Sequence, residues 1–131
     1  MNRDRIMRRA LWVSVVYNFA GAVMFAFPSM PAGRLSGLPS DVPAIYSSLV
    51  ALFVALFAGA YGWLAMQLEI DRPLVALGAI GKAGAFTIFV ALWMVGRFSG
   101  LGVISGSGDL ILAAIFTWWL FGGEADANRS R

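Results

Sequence analysis

Residues 73–96, PLVALGAIGKAGAFTIFVALWMVG, and residues 100–122, GLGVISGSGDLILAAIFTWWLFG, decide how this chain folds. Each is apolar over about the 20 residues that a helix needs to cross a bilayer. Each also holds one charged residue near its middle, Lys82 in the first and Asp109 in the second. A charge at mid-bilayer costs several kcal/mol, so such residues face a bundle interior and take a partner. At ~1.5 Å per residue, Lys82 lies ~14 Å from the start of its run, and Asp109 lies at a similar distance from the opposite face. The two depths match, and the short link Arg97–Gly100 holds the runs side by side. A direct Lys82–Asp109 pair is therefore expected.

Two further apolar runs, at about 10–28 and 44–67, bring the total to four. The first reaches the same depth at Asn18, which is expected to hydrogen-bond the pair as a third member. Arginines followed by an apolar stretch also describe a secretory signal, but this run exceeds the usual signal core of about 7–15 residues. It also contains Tyr17 and Asn18, and it reads as a membrane helix. The predicted fold is all-α: a single domain over residues 1–131, an integral membrane four-helix bundle running up-down-up-down, with helices at about 10–28, 44–67, 73–96 and 100–122. Short links at Glu69–Pro73 and Arg97–Gly100 predict antiparallel neighbours. The long connection from Pro28 to Pro43 predicts a segment lying on the surface, and Glu124–Arg131 reads as a polar tail.

Composition supports lipid as the solvent. The chain is 60% hydrophobic and 13% charged, whereas soluble domains carry about 25% charged residues. There is no cysteine and no histidine, which removes disulfides, thiolate chemistry and the commonest metal and haem ligand. The net charge of +3 makes no basic stripe for nucleic acid. Arg3, Arg5, Arg8, Arg9, Arg72, Arg129 and Arg131 fall on one side of the runs, against Arg34 and Arg97 on the other, which places both termini in the cytoplasm. Trp12, Trp63, Trp118 and Trp119 are expected at the inner interface, Tyr46 and Trp93 at the outer one.

Polar and small residues recur at helical spacing. Ser14, Asn18 and Ala22 share one face, as do Ser105, Asp109, Ala113 and Thr117. The rows Gly78 with Lys82, Gly81 with Ala85, and Ala55 with Gly59 and Gly62 are of the kind that lets membrane helices approach closely. Tyr17, Tyr61, Phe86, Phe89 and Phe116 are candidates to line a pocket or simply to pack. Ser47 and Ser48 read as the start of a helix, since no histidine exists to activate them as nucleophiles. The candidate binding or switch residues are Lys82, Asp109, Asn18, Tyr17 and Ser105, with no catalytic and no metal-ligating residue. The pair has three readings: a register-fixing ion pair, a switch opened by protonation or by a ligand, or a Schiff-base lysine with its counter-ion.

Phe27-Pro28, Leu35-Ser36-Gly37-Leu38-Pro39, Gly59 to Leu64 and Gly81-Lys82-Ala83-Gly84-Ala85-Phe86 together resemble the small DoxX-like four-helix membrane proteins of bacteria. That resemblance spans most of the chain and implies an accessory membrane role linked to redox and quinone systems, with no catalytic residue. Small multidrug transporters differ, since they carry an essential carboxylate in the first helix, where this chain has Asn18. The fluoride-channel signature is also missing. The expectation is a non-catalytic accessory or hydrophobic-ligand-binding subunit of the bacterial inner membrane. The alternative is a small proton-coupled transporter or channel working as a homodimer. No cofactor is expected, with lipid or quinone as the open options, and the expected partners are membrane lipid and a homo-oligomer or larger membrane complex.

Overall fold

A computed structural model of the chain describes residues 2–129, with side chains through Gly122. Its helices are α1 (Arg3–Ala26), α2 (Pro31–Leu35), α3 (Ala44–Met66), α4 (Arg72–Met94) and α5 (Gly100–Arg129). The four long helices are each long and apolar enough to cross a membrane. Together they form an antiparallel four-helix bundle.

Helix ends follow local chemistry. Helix α1 starts seven residues before the apolar run expected at position 10, because the Asn2 side chain caps it by accepting from the Asp4 N–H at 3.0 Å. It stops before Pro28, which disfavours helical backbone at the preceding residue. Asp71 caps α4 by accepting from the Leu74 N–H at 3.1 Å, with Pro73 in the first turn. At the other end of α4, the Arg97 N–H bonds Leu92 O and the Gly96 N–H bonds Trp93 O. Gly96 has φ +72°, the left-handed conformation that closes a helix this way. The polar tail expected from Glu124 is instead a continuation of α5 to Arg129. Ala125 and Ala127 favour helix and no proline interrupts. Ser130 and Arg131 lie outside the described residues.

Around the bundle the order is α3, α1, α5, α4. Helix α1 packs along α3, α4 packs along α5, and α1 also meets α5, whereas α3 and α4 touch little despite their short link. The turn makes them antiparallel neighbours, as link length predicts, but leaves a slot between them. The extended core fills only one half of the bundle, the half toward the chain termini, where Met7 and Leu11, Tyr61 and Leu64, Val75, and Phe116 and Leu120 interlock. Tyr61 meets Phe116 edge to face, with ring centroids 5.6 Å apart.

Arginines staple this packed end. Arg8 donates to Ala65 O at 2.7 Å and Leu68 O at 2.9 Å, satisfying carbonyls that the end of α3 leaves unpaired. Arg3 donates to Trp118 O and Trp119 O, both at 3.0 Å, and Arg72 to Leu120 O at 2.5 Å. A Cβ at Gly122 would collide with the Arg3 guanidinium, so glycine there permits the staple. Trp12, Trp63 and Trp118 stand exposed at this end, as a belt requires. Trp119 does not: it is 8% exposed, donates from Nε1 to Asp4 at 2.9 Å and lies under the Arg72 guanidinium. Both partners come from first turns at this same end, of α1 and of α4, so Trp119 keeps the level of the belt with its ring turned against the protein.

The glycine rows divide. Gly78 faces the Tyr61 ring so closely that a Cβ would stand 2.8 Å from it, and 3.2 Å from Phe116. Gly59 and Gly84 would meet nothing within 4 Å, so the Ala55–Gly59–Gly62 row is not a close helix contact along its length. Gly78→Ala is therefore expected to destabilise the protein by about 1–3 kcal/mol through overpacking. Gly84→Ala should be neutral or slightly stabilising, because it removes helical glycine without collision. Thermal unfolding of both variants in detergent checks this contrast.

Candidate functional site

Lys82 reaches the bundle interior from α4 between small neighbours, with Gly78 one turn before it and Gly81 and Ala85 beside it. Its Nζ donates to Asp109 Oδ1 on α5 at 2.8 Å and to Asn18 Oδ1 on α1 at 2.9 Å. The ammonium also sits 5.3 Å from the Tyr17 ring centroid and 5.1 Å from that of Tyr61, within the range where ring faces attract a cation. Side chains from all four long helices thus meet at one level. Lys82 is 3% exposed and Asp109 17%, so the lysine is enclosed and the carboxylate is reachable.

The helix backbones are shaped to allow this. A Cβ at Gly108 would lie 2.6 Å from the Tyr17 ring, so glycine beside Asp109 lets α1 press its tyrosine onto α5. The Tyr17 hydroxyl donates to Ser105 O at 2.5 Å. Ser105 itself belongs to another tier. Its hydroxyl bonds Leu101 O at 2.8 Å and approaches Ser36 O at 3.4 Å, so it joins the group through its carbonyl and not through its side chain. Ser14, expected on the polar stripe, is fully buried and bonds Ala10 O one turn back.

Beyond this polar layer, away from the packed core, the helices separate around a cavity of about 540 Å³. Its floor is Tyr17, Asn18, Tyr61, Lys82 and Asp109, and its walls are apolar, with Val54 and Phe57 of α3 facing Ala85 and Phe89 of α4. Ser36 and Leu38 of the α2–α3 connection close the far end. Gly37, at φ +74°, fits against Ser99, whose Oγ lies 3.3 Å from Gly37 O. Val50, Phe53, Gly81 and Ile88 line the cavity and are also exposed at the slot between α3 and α4. The cavity therefore communicates sideways with the surroundings of the helices.

Of the aromatic candidates, Tyr17, Tyr61 and Phe89 line the cavity, Phe116 packs in the core and Phe86 lines neither. Tyr61 belongs with the site residues more firmly than its sequence position suggests. Its hydroxyl has no hydrogen-bond partner among the described residues although the residue is 2% exposed. Asp109 Oδ2 likewise accepts no hydrogen bond among the described residues. A possible sequence signal was the Tyr61–Gly78 complementarity, a large ring on one run at the depth of a glycine on the next.

No protein-family model matches this chain, and no curated protein or solved structure matches it either.

Breaking a buried pair by removing one member costs about 3–5 kcal/mol, whereas replacing both with apolar side chains costs far less. Lys82→Met and Asp109→Leu are each expected to destabilise strongly, and the double variant less than either. Unfolding free energies in mixed micelles, arranged as a double-mutant cycle, measure this coupling, and additive losses would refute it.

Proposed function

We propose that this chain is a non-catalytic protein of the bacterial inner membrane, with both termini in the cytoplasm, that binds a hydrophobic ligand in the cavity between its helices. The carrying observation is that cavity: about 540 Å³, within the ~300–1,000 Å³ range of small-molecule sites, with apolar walls and a few convergent polar groups. A slot between α3 and α4 gives a lipid-soluble molecule a route from the bilayer without passing through water. The orientation rests on the arginines, which in sequence fall seven on the side of the apolar runs that leads to the termini against two on the other. The ligand class is lipid or quinone.

The transporter reading has less support. Between the polar layer and the arginine-bearing end, Leu11, Leu64, Val75 and Phe116 are packed to 1% exposure or less, so a single chain gives the cavity no way through to that end. A pathway through it would require a second copy or a rearrangement of that core.

Gly81→Leu tests the binding reading. A Cβ there would stand 3.9 Å from Phe57, in ordinary contact, and the rest of a leucine would take up space in the cavity that Gly81 lines. Native mass spectrometry of protein released from nanodiscs should show an apolar molecule retained by the wild type and lost from Gly81→Leu, with unfolding temperature preserved. Equal retention by both would refute the reading.

A further inference from the structure

Resting on the cavity as a binding site, we infer that it selects a neutral lipid whose head group is a hydroxyl. Charge balance is the first reason. Lys82 and Asp109 cancel one another, and among the described residues no other Lys, Arg, Asp or Glu lines the cavity. A carboxylate or ammonium head would therefore add an uncompensated charge at the depth where charge is most heavily penalised. Reachability is the second. Lys82 spends two of its three N–H donors on Asp109 and Asn18 and lies enclosed behind them, so it is not the group an incoming head meets.

On the cavity floor Asp109 Oδ2 and the Tyr61 hydroxyl hold no hydrogen bond among the described residues, and Asn18 Nδ2, 3.5 Å from Val54 O, keeps a second N–H beside them. Asp109 Oδ2 can only accept while the carboxylate is ionised, and the Tyr61 hydroxyl can donate. A hydroxyl is the smallest head that answers both: it donates to Asp109 Oδ2 and accepts from Tyr61. An ether or ketone cannot donate, and a hydrocarbon can do neither. The Tyr61 hydroxyl has no hydrogen-bond partner among the described residues and Tyr61 lines the cavity, so a ligand hydroxyl would supply one. The chain of such a lipid would lie along Phe57, Phe89 and Ile88 and leave through the α3–α4 slot.

The test uses the full chain in phosphatidylcholine nanodiscs and four pyrene-labelled probes of equal chain length: a primary alcohol, its methyl ether, the carboxylic acid and the primary amine. The alcohol is expected to bind about tenfold tighter than the other three, the discrimination one well-made hydrogen bond to a charged group supplies. Tyr61→Phe should erase most of that preference while leaving the unfolding temperature unchanged, because the hydroxyl makes no hydrogen bond among the described residues. An acid or amine that binds tightest overturns the inference and leaves the binding reading standing, as does an alcohol preference that Tyr61→Phe does not touch. If none of the four binds, and Gly81→Leu changes nothing in the retained lipid, the binding reading itself falls.

Discussion

Inside a bilayer neither water nor counter-ion is at hand to stabilise a lone charge, so Lys82 and Asp109 are tolerable only where they meet. Their 2.8 Å contact sets the relative height of α4 and α5, and Asn18 at 2.9 Å ties α1 to the same level. Tyr17 and Tyr61 bring their ring faces to the ammonium from α1 and α3. The register of all four long helices thus refers to one lysine. Apolar helices in lipid gain little from hiding from their surroundings and rely on packing and interhelical hydrogen bonds, which makes such a shared polar point the natural organiser of this bundle.

That point also divides the molecule. On the side toward the termini, the buried side chains of all four helices interlock and Arg3, Arg8 and Arg72 staple helices together through backbone carbonyls. On the other side the helices part, and the connection at Ser36–Leu38 closes the end of the space between them. The packed half holds the polar layer in place, and that layer, Tyr17, Asn18, Tyr61, Lys82 and Asp109, forms the floor of the open half. The chain has neither histidine nor cysteine, so the polar layer contains no imidazole base and no thiolate.

Much of this was legible in the sequence. Four helices and the second, third and fourth segments' starts to within about a residue follow from hydropathy and the position of Pro73, and matching depth was enough to pair Lys82 with Asp109 and add Asn18. What escaped depended on lateral arrangement. Link length says that α3 and α4 run antiparallel but not that a slot separates them, so the cavity has no signature in spacing. Hydropathy marks the lipid-facing span and not the helix, so α1 begins at Arg3 and α5 continues to Arg129. The arginines, counted only as topology signals, also hydrogen-bond helix carbonyls, and Trp119 turned inward because Asp4 and Arg72 offered it partners. Gly59 and Gly78 look alike in sequence, yet one faces open space and the other the Tyr61 ring.

Because Lys82 is the only lysine, supplying lysine labelled with ¹⁵N at Nζ marks a single site, and solid-state NMR in lipid can ask what lies beside it. With ¹³C-carboxylate aspartate, the account predicts strong dephasing of an ammonium nitrogen by one carboxylate carbon, as a 2.8 Å Nζ–Oδ1 contact requires, abolished in Asp109→Asn. An undephased nitrogen, or dephasing that survives that substitution, would contradict it.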